Sequence, residues 1–135
     1  MSSKDTNLKE KFRIALNSTA KVISDDFDIN DKKTKDLISV EIDNLTNPSD
    51  FIRLRAETDS TALKKKFSDS SIYKKNLPSN TSSRSLYNIA EKIRYEALGG
   101  QMLKGIEKNV NKKYYKIKKR KRKDKIKTNE EVQEA

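Results

Sequence analysis

Asn47-Pro48-Ser49-Asp50-Phe51-Ile52-Arg53-Leu54-Arg55-Ala56-Glu57-Thr58-Asp59-Ser60-Thr61-Ala62-Leu63-Lys64-Lys65-Lys66-Phe67 reads as one helix from its first two residues. Asn47 can accept a hydrogen bond from the unpaired N–H groups of a first turn. Pro48 lacks the N–H that a first helical position cannot use. Phe51, Ile52, Ala56, Leu63 and Phe67 form the expected inward set, and Ser68-Asp69-Ser70 punctuates the chain behind them. Asp59 falls near that inward face. A carboxylate there could pair with a basic side chain, cap a neighbouring helix, or stay solvated at the edge of the face.

Working outward toward the N-terminus, Leu8, Phe12, Ala15, Leu16, Thr19 and Ile23 recur at helical spacing. A helix is expected over Asn7–Ile23, with Asn7 and Glu10 as its capping pair. In residues 25–43, Phe27 and Ile29 alternate with Asp26, Asp28 and Asn30. Val40 and Ile42 alternate with Glu41 and Asp43. Two short strands around the polar Asp31-Lys32-Lys33 fit this pattern, and so does an irregular linker.

On the other side, residues 71–76 suit a short helical turn, and Leu77-Pro78 is a break because proline disfavours helix at the residue before it. Ser79 or Asn80 can cap a helix over Ser82–Leu98, with Leu86, Ile89, Ala90, Ile93 and Ala97 as its stripe. Gly99-Gly100 should interrupt or kink that helix, or simply end it. Met102, Leu103, Ile106 and Val110 resume helical spacing, and Gly105 offers a small-residue position for close approach by another segment. Beyond Lys112 the stripe thins to Tyr114, Tyr115, Ile117 and Ile126 among lysines, as in a solvated basic helix end or a disordered arm. The expected fold is mainly α: a small helical domain over residues 1–111 with a short β-hairpin near residues 26–43. A basic, partly disordered arm and the start of a charged linker would follow over residues 112–135.

Composition narrows the chemistry. The chain has 135 residues, 33% apolar and 38% charged, enough for one domain with a lean core. Cys and His are both absent, which removes disulfides, thiol nucleophiles, zinc clusters and His-based general bases. A metal site could draw only on Asp, Glu and carbonyl oxygens. No Gly-x-x-x-x-Gly-Lys-Ser/Thr loop exists, so there is no Walker-type ATP site. Asp69-Ser70-Ser71-Ile72-Tyr73 comes nearest to the Asp-x-Ser-x-Ser of a metal-ion-dependent adhesion site and fails at its last position. Asp25-Asp26 sits in a polar stretch without the burial that would tune a general acid. Neither a catalytic nor a metal-binding set is expected, and no cofactor.

No apolar run approaches the roughly 20 residues that span a bilayer, so no membrane segment is expected and the cytoplasm is the default location. Net charge is +11, unevenly placed. Residues 104–127 carry 13 basic and 2 acidic side chains, against 18 and 15 in residues 1–103. With Tyr114 and Tyr115 interleaved, that segment could neutralise phosphates and stack bases, which keeps a small basic nucleic-acid-binding protein as the alternative function.

Three ordered blocks carry a resemblance. They are Arg55-Ala56-Glu57-Thr58-Asp59-Ser60-Thr61-Ala62-Leu63-Lys64, then Ile72-Tyr73-Lys74-Lys75-Asn76-Leu77-Pro78-Ser79-Asn80, then Arg94-Tyr95-Glu96-Ala97-Leu98-Gly99-Gly100-Gln101-Met102-Leu103-Lys104-Gly105-Ile106. Together with Phe12-Arg13-Ile14-Ala15-Leu16, Asp26-Phe27-Asp28-Ile29 and Asn109-Val110, they resemble the N-terminal region of the CobT-type subunit of aerobic cobaltochelatase over roughly residues 10–111. The resemblance implies a non-catalytic subunit of a complex that inserts cobalt into hydrogenobyrinic acid a,c-diamide in cobalamin biosynthesis. In that complex an AAA+ ATPase subunit hydrolyses ATP and a large subunit binds the tetrapyrrole, so ATP and cobalt would be used by partners. It also implies that the chain stops where an acidic linker to a von Willebrand type A domain would begin. The implied partner contacts are Lys74, Lys75, Leu77, Pro78, Ser79 and Asn80 on the break, and Arg94, Glu96, Gly99, Met102 and Gly105 along the last helix. Leu77 and Met102 could equally be core residues.

Overall fold

The computed structural model describes residues 3–25, 42 and 44–134. Among the described residues the helices with full bounds are, in order, α1 (Ser3–Ser24), α2 (Pro48–Phe67), α3 (Ser70–Lys75), α4 (Thr81–Met102) and α5 (Lys104–Glu134). The mainly α expectation holds. The expected hairpin lies outside the described residues apart from Ile42, which is helical and buried.

Helix α2 is the hub, with α1, α4 and α5 all packed against it. Its start is built as the sequence implies. Asn47 Oδ1 accepts from the Asp50 N–H at 3.2 Å. Asp50 Oδ2 accepts in return from Asn47 N at 3.2 Å, Thr46 N at 3.1 Å and Thr46 Oγ1 at 3.0 Å, and these donors hold its carboxyl below the usual range. The short helix α3 starts on Asp69, whose carboxylate accepts from the N–H groups of Ser71 and Ile72. Helix α4 starts on Asn80, which accepts from Ser82 and Ser83. Helix α1 ends at Asp25, whose φ of 55° lies in the left-handed region that a short polar side chain tolerates. Asp25 also pairs with Lys66 on α2.

The core falls into two clusters along α2. Leu16, Ile42, Leu45 and Leu54 pack at one end, with Phe12 against them. The Phe12 ring meets Phe51 at 5.1 Å, tilted by 59°. Ala20, Ile23, Ala62, Leu63, Tyr95, Ile106 and Val110 pack at the other end. Leu54 and Leu63 are fully buried, worth about 1.5–3 kcal/mol each relative to exposure.

Several expectations are corrected. Helix α1 begins at Ser3 and not at Asn7, and Glu10 pairs with Arg13 instead of capping. Leu8 is exposed, while Leu54, absent from the expected inward set, is at the centre. Helix α4 runs unbroken through Gly99 and Gly100, both buried, and stops at Leu103. These glycines permit contact and do not end the helix: a Cβ on Gly99 would overlap the Leu63 side chain, and one on Gly100 would stand 3.3 Å from Glu107 Cβ. Gly105 has open space around it, so the close approach expected there occurs at Gly99 and Gly100. Leu86, Ile89, Ala90, Ile93 and Ala97 are exposed; α4 buries Tyr95, Glu96, Gly99 and Gly100 instead. The arm expected to be partly disordered is the continuation of α5, helical to Glu134. After Gly105 it holds neither glycine nor proline, and Lys, Arg, Glu and Gln are good helix formers.

Candidate functional site: a buried polar cluster between three helices

Between the two apolar clusters, α2 turns Thr58, Asp59 and Ser60 inward. Thr58 satisfies itself by donating to the Leu54 carbonyl at 2.8 Å. Ser60 and Asp59 reach other helices. Ser60 Oγ donates to Glu96 Oε1 on α4 at 2.6 Å. The Tyr114 hydroxyl on α5 donates to the other oxygen, Oε2, at 2.8 Å. Lys92 Nζ stands 4.0 Å from Oε1, one turn away on α4. Asp59 Oδ2 accepts from Asn109 Nδ2 on α5 at 3.2 Å. Asp59 and Glu96 are only 2% and 6% exposed, and the Ser60–Glu96 bond is fully buried while those from Asn109 and Tyr114 are partly so.

Burial sets the proton affinities. It pushes the Asp59 carboxyl up, against the Asn109 bond and the Arg55 charge that favour the ionised form. Burial also raises the Tyr114 phenol, as does the hydrogen bond to Glu96, and it raises the Tyr95 phenol. Burial and then the neighbouring Lys92 lower the Lys113 ammonium. Glu96 has both oxygens taken by hydroxyl donors, which suits a brace across α2, α4 and α5 more than a proton-transfer group. Among the described residues no group of three or more Asp and Glu side chains is placed to hold a metal ion.

A second, more exposed cluster joins the end of α2 to α4. Arg94 Nη2 donates to the Phe67 carbonyl at 2.8 Å, placing a cation on the α2 C-terminus. Its Nε meets Glu91 Oε2 at 2.9 Å, and Ser68 Oγ donates to Glu91 Oε1 at 2.5 Å. Arg94 first, and then Ser68, hold the Glu91 carboxyl down at about 2. Tyr73 and Tyr87 lie beside it with rings 5.2 Å apart, and the Tyr73 hydroxyl donates to Asn88.

Surface hollows border α5, two of them against other helices. One, of about 390 Å³, lies between the start of α2 and the basic face of α5 and is lined by Arg53, Lys113, Lys116, Arg120 and Lys123. Lys116 Nζ donates there to Ser49 Oγ at 2.8 Å. The other, of about 480 Å³, lies between α4 and α5 beside Ile93, Ala97, Gly100 and Tyr114.

The contact residues implied by the resemblance do not form one patch. Lys74, Lys75, Ser79 and Asn80 are exposed around the break, and Leu77 and Pro78 are half-buried there. Arg94, Met102 and Gly105 are exposed, whereas Glu96 and Gly99 are buried within the packing of α4. Arg84 Nε ties the break to α4 by donating to the Pro78 carbonyl at 2.6 Å. Sequence reading missed Ser60, Lys113 and Tyr114 as members of the buried cluster. Ser60 follows Asp59 in the first block, and Tyr114 lies eight residues past Ile106 at helical spacing, so both carried a readable signal.

The first and third blocks therefore meet where the chain buries its polar groups, Asp59 and Ser60 from the first and Glu96 from the third, with Gly99 and Gly100 packed beside them and Asn109 just beyond. No curated protein and no solved structure matches the chain. The family described as cobalamin biosynthesis protein CobT matches over residues 6–135, nearly the whole length, and the chain belongs to that family.

Proposed function

We propose that the chain is a non-catalytic assembly subunit of the ATP-dependent cobaltochelatase that inserts cobalt into hydrogenobyrinic acid a,c-diamide. Its partners are the AAA+ ATPase subunit and the large tetrapyrrole-binding subunit, in the cytoplasm. ATP and cobalt are used by the complex and are not held by this chain. The observation that carries this reading is the use made of the family blocks. Asp59, Ser60 and Glu96 spend their polar atoms on bonds that fix three helices to one another. Outward the chain presents exposed apolar side chains such as Leu86, Ile89 and Ile93 and the lysines and arginines of α5, surface open to a partner.

The nucleic-acid reading draws support from the exposed lysines and arginines of α5. Of the two interleaved tyrosines Tyr115 is the more open, 67% exposed against 40% for Tyr114, whose hydroxyl is committed to Glu96.

Co-purification separates the two. The full chain, carrying an affinity tag, is mixed with the AAA+ and large subunits, and in parallel with single-stranded RNA at increasing salt. Capture of either protein subunit supports the assembly role. RNA capture that falls steeply with salt, with neither subunit retained, defeats it. Truncation at residue 111 is the wrong control, since it removes Tyr114 from Glu96; charge reversal at exposed Lys118 and Lys121 leaves the cluster whole.

A further inference from the structure

Helix α5 crosses the start of α2 as it leaves the body of the chain. Asn109 bonds to Asp59 and Lys116 to Ser49, so the two helices run antiparallel, and α5 passes the α2 N-terminus near Lys116. The hollow of about 390 Å³ lies at this crossing. Six of the residues around it are cations: Arg53 from α2, and Lys113, Lys116, Lys119, Arg120 and Lys123 from α5. Lys113, Lys116, Arg120 and Lys123 succeed one another at steps of three and four, which places them on one face of α5. Asp50 is the one carboxylate in the lining. Its Oδ2 accepts from Thr46 and Asn47, so it is engaged in capping α2. Arg53 also meets Glu57 at 3.5 Å, one turn along α2 and outside the hollow. Asp124, the sole acidic residue in 113–129, lies outside it too.

Six cations against one carboxylate repel one another, and two features add to the cost. Lys113 is only 7% exposed, and burial, more than any neighbouring group, disfavours its charge. The α2 N-terminus contributes the positive end of its dipole, about half an elementary charge. Its Asp50 N–H is already bonded to Asn47, so the helix end counts here for its field.

An anion in the hollow relieves this repulsion, and the convergence of the cations selects its kind. A carboxylate carries one charge, which a single guanidinium can match in two bonds. A peptide would have to crowd several carboxylates into the hollow, like charge against like. An RNA strand spreads its charge along its length, one per phosphate. A terminal phosphate instead gathers about −1.5 to −2 on three strong acceptor oxygens, and a diphosphate places two phosphates side by side. The volume is that of a small-molecule site, and Ile52 and Ile117 give it an apolar wall.

We infer that the hollow binds the diphosphate group of a small anion, inorganic pyrophosphate or the diphosphate of a nucleotide, between Arg53 on α2 and Lys116, Arg120 and Lys123 on α5. The inference stands apart from the proposed function: the anion is held, none of its bonds is broken, and ATP hydrolysis stays with the partner subunit.

The test is isothermal titration calorimetry of the full chain with pyrophosphate, ADP and citrate, at about 150 mM salt to screen diffuse attraction. Pyrophosphate should bind saturably, one per chain. Arg120→Gln with Lys123→Gln should weaken it by about ten-fold or more, or about 1.4 kcal/mol, and so should Arg53→Gln on the facing helix. Lys121→Gln with Lys125→Gln removes the same charge from the same helix, where only α5 residues line the surface, and should change binding by about two-fold or less. These four α5 side chains are exposed, so far-ultraviolet circular dichroism should stay unchanged. Pyrophosphate should also raise the Tm of the parent chain more than that of Arg120→Gln with Lys123→Gln. Citrate, an anion of three carboxylates, should bind more weakly than pyrophosphate by about ten-fold or more. ADP tighter than pyrophosphate assigns the diphosphate to a nucleotide, and ADP equal or weaker assigns it to the free anion. Absent or non-saturable binding, equal losses in the two α5 pairs, indifference to Arg53→Gln, or citrate as tight as pyrophosphate overturns the inference. So does single-stranded RNA that displaces pyrophosphate and is weakened equally by both α5 pairs.

Discussion

Replacing Gly99 by alanine adds one methyl group where α4 packs against Leu63 of α2. The new Cβ would overlap both methyls of Leu63 and stand 2.9 Å from its Cγ. Leu63 is 0% exposed and packed among Ala62, Tyr95 and Ile106, so it has no open space to swing into. Overpacking of this kind costs about 1–3 kcal/mol. Alanine returns part of that, because it is better than glycine in a helix interior by about 1 kcal/mol. With overlap at both methyls of a fully buried leucine the cost lies in the upper half of that range, about 2–3 kcal/mol, so the net is a destabilisation of about 1–2 kcal/mol, or a fall in Tm of roughly 3–8 °C for a chain of this size. Urea unfolding followed by circular dichroism should show a lower midpoint at unchanged slope. Gly105→Ala is the matched control: it meets nothing within 4 Å and should leave stability equal or slightly raised. In Gly99→Ala with Leu63→Ala, the space left by leucine should accept the new methyl. That double variant should be more stable than the sum of the singles implies. Gly99→Ala as stable as the parent, or strictly additive behaviour of the pair, would refute the close-packing account.

Glu96→Leu leaves the Ser60 and Tyr114 hydroxyls without their acceptor, so a loss of about 2–4 kcal/mol is expected in the same assay, with Glu96→Gln milder. Asn47→Ala removes one half of a capping box and should cost about 1 kcal/mol, seen as a lower urea midpoint. Asp59 gives a pH signature. Burial raises its folded value above the ordinary 3.8, so the folded chain keeps a proton that the unfolded chain has released. Its contribution to stability therefore falls as pH rises from that ordinary value through the raised folded one. Asp59→Asn should remove this loss in urea midpoints taken between about pH 3 and pH 7. Glu91 runs the other way: held at about 2 in the fold against 4.5 ordinarily, its contribution is present above 4.5 and lost as pH falls toward 2. Glu91→Gln should flatten that acid limb, and an unchanged limb would count against the Arg94 and Ser68 contacts.

The starts of α2 and α4 were legible because capping is local chemistry, whereas the Asn7 and Glu10 pair expected to open α1 lies inside that helix. Asn47 with Pro48, the stop at Phe67, the break at Pro78 and the cap at Asn80 all depend on neighbours within a few residues. The inward face of α4 was not legible. Periodicity assigns Leu86, Ile89 and Ile93 to the core, and only the partners of Glu96, at Ser60 and Tyr114, reveal that the opposite face is the buried one. Those partners lie 36 and 18 residues away along the chain. Gly99-Gly100 was read as a break because glycine is a poor helix former. Within a bundle, the missing side chain counts for more as room for Leu63 and Glu107. Asp59 shows partial legibility: its inward position could be read from spacing, its Asn109 donor on α5 could not.

Helix α5 has 31 residues, about 46 Å end to end, and only its first part is seated on α2 and α4. A rod of this kind transmits angle as well as distance. Each residue turns the helix by about 100°, so one residue inserted after Tyr114 would swing Lys118, Lys121 and Lys125 away from the α4 side while leaving the seated part undisturbed. Seven inserted residues would nearly restore the bearing and move the cations outward by about 10 Å. Spacing between the buried and the basic portions of α5 is thus an azimuthal setting, and changes in length there should be tolerated in steps of a heptad and not of a single residue.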